Sequence, residues 1–383
     1  MSRTVLVLGA GIGGLVAAEE LRKRLPRTDR VVVVDRAARH FFAPSLLWLM
    51  VGDRSPGDIS RPFDRLGRRG VELIRSAVRR IDPVRREVEL EGQTLRGDAL
   101  VVALGASLAP EAIPGLADAG HCLYTLDGAT AIRDALQRFS GGRIVVLTAA
   151  PQYKCPAAPY EAALLVEAHC RKKGIRPSTE ITFYAAEPGP MGVAGPAISA
   201  AVRGMVESRG IAYHPEHQVT AADAKARRLS FANGTEAGFD LLLYVPPHRA
   251  PAVVKDAALV NESGWIPVDR HTLQTQYENV FAIGDVNTIP LKLGKPLPKA
   301  GVFAHGEAEV VARNLARAWT GKGAARRFSG DGACFIEAGD GRAGFGSGNF
   351  FAEPLPQVRM RQPSRFWHAG KVLYEKSWLY RHF

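Results

Sequence analysis

The chain opens on a short strand pattern, Thr4-Val-Leu-Val-Leu8, apolar from Val5 onward. A continuous apolar run of this length marks a strand buried on both faces, as in a parallel sheet covered by helices. It stops at Gly9-Ala-Gly11-Ile-Gly13-Gly14, after which Ala17, Ala18 and Leu21 give the next segment one apolar helical face. A second apolar run, Val31 to Val34, ends in Asp35. The sequence thus predicts a strand–turn–helix–strand unit at the start of a doubly wound sheet.

The same patterns recur downstream. Residues around Val88 to Glu91 read as part of a β-meander, and Ala99 to Leu104 as another buried strand, ending at Gly105. Arg143-Ile-Val-Val-Leu147 starts a second βα unit, with a helix from about Ala158 to Lys173 and a strand over Ile181 to Ala185. A loop rich in proline and glycine, Pro188 to Pro196, leads to a helix ending near Arg209, and Leu241 to Val245 closes this part. Asn279 to Asp285 is again strand then turn, followed by a helix over Val302 to Trp319.

Strands alternating with helices in this way predict an α/β fold with two Rossmann-like, doubly wound dinucleotide domains, the second inserted in the first. The expected boundaries are 1–110 and 247–325 for the split first domain, 111–246 for the second, and 326–383 for a C-terminal module.

Composition changes this picture little. At 383 residues, 46% hydrophobic and 23% charged, the chain is globular and long enough for more than one core. A formal charge of +12 favours anionic partners, such as a phosphate-bearing cofactor or an anionic membrane surface. No nucleic-acid-binding module is recognisable. No apolar run approaches the roughly 18 residues that span a bilayer. The first strand begins too early to leave room for a secretory signal, so the expectation is a cytoplasmic protein, or one peripheral on a membrane. Four cysteines at spacings that match no zinc pattern leave free, catalytic or buried thiols open, with no metal expected.

Gly9, Gly11 and Gly14 form a GxGxxG turn between strand and helix. The first glycine permits the turn, the second lets backbone approach a pyrophosphate, and the third lets helix and strand pack closely. Asp35, 21 residues after Gly14, is placed to accept from a ribose hydroxyl. The corresponding loop of the second domain, Thr148 to Pro159, has no glycine at all and holds Pro151, Cys155, Pro156 and Pro159. Side chains and prolines obstruct close backbone approach, so a nicotinamide nucleotide is not expected to bind there in the usual way. Cys155 occupies that loop near a helix N-terminus, a position that lowers a thiol pKa. Taken alone, Cys155 and Cys334 each read by default as buried core thiols.

Several motifs in order change that weighting: the GxGxxG turn at Gly9; Phe42-Ala-Pro44-Ser45-Leu-Leu-Trp48; Cys155 followed by Pro159-Tyr160-Glu161; and Pro246-Pro247. Further on come Gly284-Asp285, Pro298-Lys299-Ala-Gly301, Ala333-Cys334-Phe335 and Tyr374-Glu-Lys-Ser-Trp-Leu379. In these the chain resembles, over nearly its whole length, the sulfide:quinone oxidoreductases and the flavoprotein subunit of flavocytochrome c sulfide dehydrogenase. Both lie within the pyridine nucleotide-disulfide-oxidoreductase-like family.

The resemblance implies FAD as cofactor, bound through Gly9, Gly11, Gly14, Asp35, Pro44, Gly105, Gly284, Asp285 and Lys299. It implies Cys155 and Cys334 as a redox-active pair whose disulfide is attacked by sulfide, two electrons passing to FAD and on to a quinone. Lys299 would stabilise reduced flavin by its charge, and Glu161 is a candidate proton acceptor. The chain departs from the family where Tyr124 stands at a cysteine position before Thr125-Leu-Asp127, with Cys122 two residues upstream. A histidine common in the Pro188–Pro196 loop is absent, Met191 lying nearby. Cys170 reads as structural.

In the tail from Val358, Arg359, Arg361, Arg365, Lys371, Lys376 and Arg381 interleave with Phe366, Trp367, Leu373, Tyr374, Trp378, Leu379 and Phe383. Basic and aromatic residues mixed in this way suit a membrane interface, or a contact with a second copy in a homo-oligomer. The expected activity is FAD-dependent oxidation of sulfide with a quinone as acceptor. Rival readings are a flavocytochrome-type subunit, an NADH:quinone reductase, and a persulfide-sensing flavoprotein without turnover.

Overall fold

A computed structural model describes residues 2–383. The first sheet has five parallel strands in the order Val280–Ala282, Ala99–Val102, Thr4–Leu8, Arg30–Asp35, Glu72–Arg75. Its central residues Val5, Val7, Val31, Val33, Ala99 and Val101 are buried, which is why these strands read as unbroken apolar runs. Residues 280–282 pair with 99–102, so the chain returns to its first sheet after a long excursion. Helix Ile12–Arg24 packs against helix Gly301–Thr320 over one face of this sheet.

The excursion builds a second parallel sheet, in the order His121–Cys122, Leu241–Val245, Gly142–Thr148, Thr179–Ala185, Ala212–His214. Helix Ala158–Lys172 crosses it with Tyr160, Ala162, Ala163 and Val166 turned into the core. Each half carries an antiparallel three-stranded meander. One comprises Arg80–Asp82, Glu87–Glu89 and Thr94–Arg96; the other comprises Val219–Asp223, Arg228–Phe231 and Glu236–Gly238.

The C-terminal module is an antiparallel sheet of Asp331–Gly339, Arg342–Asn349 and Gln357–Ser364, followed by helix Arg365–His382. Here the tail differs from the expectation of one mixed surface segment. Trp378, Leu379 and Phe383 are buried in the core of the first domain, and Lys371 and Glu375 are buried as well. Ser45 donates to the Glu375 carboxylate at 2.6 Å and Arg54 pairs with it at 2.9 Å. Composition cannot separate the two faces of a helix; only packing does. The face left to solvent holds Phe366 (70% exposed), Leu373 (70%) and Tyr380 (80%) at seven-residue spacing. Among the described residues, no helix is long and apolar enough to cross a membrane.

His40 anchors the end of that helix. Phe383 stacks on its ring at 4.9 Å, and Trp378 Nε1 donates to His40 Nε2 at 3.2 Å. Indole can only donate, so Nε2 must accept and the imidazole must be neutral. Burial pushes this histidine from its ordinary 6.5 down to about 4, and the nearby His382 adds to the shift. Between those values the unfolded chain binds a proton that the folded one does not. The contribution to stability is therefore present above pH 6.5 and is lost as pH falls through about 4. His40→Gln keeps an acceptor for Trp378 but cannot titrate. It should flatten the pH dependence of urea-unfolding stability across that window, by up to about 3 kcal/mol.

Candidate active site

The turn between the first strand and helix has the geometry its glycines demand. Gly9 has φ +99°, and a Cβ there would strike the Ala103 carbonyl. A Cβ at Gly14 would overlap the Gly9 carbonyl oxygen, so helix and strand meet with no room for a side chain. Gly11 lies at the helix N-cap, and nothing stands within 4 Å of where its Cβ would be. Open space over an uncapped helix N-terminus is a cradle for an anion such as a pyrophosphate. Asp35 braces the turn, its carboxylate accepting from Ala10 N at 2.6 Å and Ala37 N at 2.7 Å. Pro44 lies in a 3₁₀ turn, and Gly105 has φ +68° with open space around it. These residues fit the adenosine and pyrophosphate parts of FAD.

The returning strand supplies the other end. Gly284 has φ +74° and opens a 3₁₀ turn with Asp285. Below it, Glu307 accepts from Gly284 N at 2.6 Å and from Asn287 Nδ2 at 3.0 Å. Burial pushes Glu307 up to about 7. Lys299 Nζ donates to the Asp285 and Asn287 carbonyls at 2.7 and 2.8 Å and lies 3.5 Å from the Trp265 ring centre. Burial brings Lys299 down to about 8, against the pull of Asp285 and Glu307. It is a cation held just below the Gly284 turn.

Between the second domain and the C-terminal sheet lies a largely apolar cavity of about 640 Å³. Cys155, Cys334 and Lys299 all line it, together with Leu297, Phe303 and Met360. Both cysteines are free thiols. Cys334 is open to the cavity, yet protein walls enclose it; burial pushes its thiol up to about 12. Burial also raises Cys155, and the neighbouring Cys334 raises it further. The expected lowering by a helix N-terminus is overturned: loss of solvation outweighs it, and both groups rest as thiols.

Cys155 is held in a left-handed backbone conformation, φ +49°, which a non-glycine residue adopts only when its surroundings impose it. Cys155 N donates to the Lys299 carbonyl at 2.6 Å. Tyr124 Oη donates to the Lys154 and Cys155 carbonyls at 2.7 and 3.2 Å. Tyr124, standing at the cysteine position of the family pattern, thus clamps the loop that presents Cys155.

Glu161 is not a surface carboxylate. Its side chain is buried, accepts from Lys371 Nζ at 2.6 Å and from Glu337 N at 2.8 Å, and lies near enough for its charge to raise both thiols. Lys371 and Glu337 were invisible as site residues in sequence, because folding alone brings the tail onto helix Ala158–Lys172.

The glycine-free loop of the second domain is filled from within. Tyr153 and Tyr160 donate to Glu187 Oε1 at 2.5 and 2.7 Å, and Thr148 donates to Oε2 at 2.7 Å. Glu187 follows the strand ending at Ala185, and three hydroxyls saturate its carboxylate. Tyr124 stood out in sequence as a departure from the family pattern, whereas Glu187 and Glu307 carried no signal beyond their residue type. Cys170 is buried in the core of the second domain.

Comparison with known proteins agrees with this geometry. The sequence pattern of the family described as pyridine nucleotide-disulphide oxidoreductase matches residues 3–308. The chain is 29% identical to the mitochondrial sulfide:quinone oxidoreductase of Mus musculus over 75% of its own length, and spans 66% of that protein. It is also 29% identical to the sulfide-quinone reductase of Aquifex aeolicus, covering 100% of this chain and 91% of the relative. The solved structure of the Aquifex aeolicus sulfide:quinone oxidoreductase superposes with a TM-score of 0.89 at 26% identity, again over 100% and 91% of the two chains.

The two close glycines have separable roles. Gly11→Ala adds a methyl only to open space at an ordinary φ, so the protein should fold and melt as wild type but purify with its visible flavin absorbance reduced or absent. Gly14→Ala should instead lower the melting temperature, because its methyl has nowhere to go. Equal flavin content in Gly11→Ala and wild type would remove the pyrophosphate from this position.

Proposed function

The chain belongs to the pyridine nucleotide-disulphide oxidoreductase family, and from that premise we infer that it is a flavoprotein enzyme oxidising sulfide at the expense of a quinone. The observation that carries this reading is that Cys155 and Cys334, distant in sequence, line one apolar cavity together with Lys299. The full-length likeness to the Aquifex aeolicus sulfide-quinone reductase supports the same substrates.

The chain's residues divide the work. Gly9, Gly11, Gly14, Asp35, Pro44 and Gly105 hold the nucleotide end of FAD, and Gly284, Asp285 and Lys299 its other end. When bound, FAD supplies the two-electron store between sulfide and quinone. Cys155 and Cys334, joined as a disulfide, accept hydrosulfide at one sulfur; their S–S bond breaks to leave a persulfide on one and a thiolate on the other. Low-dielectric walls make that added charge costly, so Lys371 and Lys299 nearby stabilise it. The apolar lining from Leu297, Phe303 and Met360 suits a quinone ring and its hydrocarbon tail, which favours this acceptor over a haem protein. The Glu187 cluster occupies the loop where a nicotinamide nucleotide would need bare backbone, which argues against an NADH:quinone reductase.

The acceptor's location follows from the tail. Phe366, Leu373 and Tyr380 form an outward apolar stripe on helix Arg365–His382, flanked by exposed Arg365, Lys376 and Arg381. That arrangement suits a monolayer surface of anionic lipid, with the rings among the headgroups.

Two experiments test these assignments. Under anaerobic conditions sulfide should bleach the flavin of the purified protein and NADH should not. Cys155→Ser and Cys334→Ser should each abolish sulfide bleaching while retaining flavin. Bleaching by NADH alone would reverse the assignment. The triple variant Phe366→Ser/Leu373→Ser/Tyr380→Ser should lose co-sedimentation with phosphatidylglycerol vesicles. If it still sedimented with them but changed from dimer to monomer, the stripe would be a contact between copies.

A further inference from the structure

Four titratable side chains run in single file to the surface from Glu161, which follows Cys155 by six residues and accepts from Glu337 N on the strand that carries Cys334. Glu161 Oε2 is 2.6 Å from Lys371 Nζ, and Lys371 Nζ is 3.8 Å from Glu337 Oε1. Glu337 Oε2 is 3.1 Å from His368 Nδ1. The side chains of Glu161, Lys371 and Glu337 are 3%, 7% and 1% exposed, whereas that of His368 is 30% exposed. They come from helix Ala158–Lys172, strand Asp331–Gly339 and helix Arg365–His382, with His368 and Lys371 one helical turn apart.

A buried set of this kind is a poor route to stability, since desolvating the charges consumes most of what their attraction returns. Helix Arg365–His382 is already anchored by Glu375 with Ser45 and Arg54, and by Trp378 on His40. The helix thus has anchors of its own besides the Glu161–Lys371–Glu337–His368 file.

We propose that Lys371, Glu337 and His368 are the proton outlet of the sulfur site, conducting to solvent the proton that Glu161 takes up when hydrosulfide opens the disulfide. The inference rests on the sulfide-oxidising function proposed above. The step is HS⁻ + R–S–S–R′ → R–S–S⁻ + R′–S⁻ + H⁺. One S–S bond forms as another breaks, the sulfide sulfur loses two electrons, the cysteine pair gains them, and the quinone is their final acceptor. One proton is left in an apolar cavity next to two new negative charges. Glu161 accepts it; Lys371 takes it over and, swinging its ammonium across the 3.8 Å to Glu337 Oε1, gives one of its own protons to Glu337; Glu337 passes it to His368 Nδ1, and His368 releases a proton from its outer edge.

Several groups face the file and set its proton affinities. Burial works against the Lys371 charge, but Glu161 and Glu337 outweigh it and hold the ammonium above its ordinary value. Burial raises Glu337, against the pull of Lys371, so that it can carry a proton briefly. Trp48 presents its ring to Lys371 at 5.1 Å, to Arg54 at 4.7 Å and edge-on to His368 at 5.9 Å, closing the file against water. Arg54 is engaged with Glu375, and Tyr374 and the two thiols complete the surroundings.

The test is stopped-flow bleaching of the flavin by sulfide in the holoenzyme, over a pH series, with thermal melts alongside. His368→Ala should slow bleaching by at least about 10-fold, and added imidazole should restore the rate. His368→Gln, which keeps a hydrogen bond to Glu337 but carries no proton, should be as slow as the alanine variant and should melt as wild type. A wild-type rate in His368→Gln, or slow His368→Ala that imidazole does not rescue, would make the file structural and overturn the outlet. If sulfide fails to bleach even the wild-type flavin, the parent function falls and the outlet with it.

Discussion

One positive charge holds the sulfur site together. Lys371 lies buried between the carboxylates of Glu161 and Glu337, and in doing so ties a helix of the second domain to both the sheet and the last helix of the C-terminal module. Without it, two buried carboxylates would lose their shared cation, a loss that costs about 3–5 kcal/mol when one partner of such a set is removed. Cys334 is three residues from Glu337 on the same strand, and Cys155 begins the loop leading to Glu161. The position of the ammonium therefore fixes how the strand carrying one sulfur lies against the helix that follows the other.

The cavity between those elements has a second constraint, which is solvation. Its walls raise both thiols and lower Lys299, each in the direction that disfavours charge. Redox chemistry of sulfide creates charge at every step, so such a site needs fixed counter-charges and a way for protons to leave. Lys299 at the Gly284 turn and Lys371 behind the sulfurs provide cations on two sides of one apolar space. That placement, more than any single catalytic group, is what the three-part architecture achieves.

The legible parts of the sequence are those with local causes. A strand, a glycine turn and a helix follow each other within about twenty residues, and each glycine's role is set by its immediate neighbours, so the nucleotide site could be read directly. Cys155 was legible as unusual because it stands where glycines are expected. The Glu187 cluster was not: Thr148, Tyr153 and Tyr160 lie in one stretch, but their shared acceptor arrives from the next strand. The tail was misread in part for the same reason. His368, Lys371, Glu375 and His382 recur at three-, four- and seven-residue spacing, an inward polar stripe that the periodicity of apolar positions does not reveal.

That stripe makes the last helix partly inverted: Lys371 and Glu375 face protein beside Trp378 and Leu379, while Phe366, Leu373 and Tyr380 face outward. An ordinary surface helix does the reverse, because burying charge and exposing large apolar side chains to water both raise the free energy. The inward half is rationalised by the ion pairs of Lys371 and Glu375. The outward half is rationalised only by a medium other than water, and a lipid surface supplies one. On this reading a single rigid helix faces the membrane on one side and the sulfur site on the other. A hydrophobic acceptor arriving from the bilayer would then meet a cavity whose back wall is positioned by the same element that meets the lipid. The inverted pattern, costly in an isolated domain, becomes the geometric link between where quinone dissolves and where sulfide reacts.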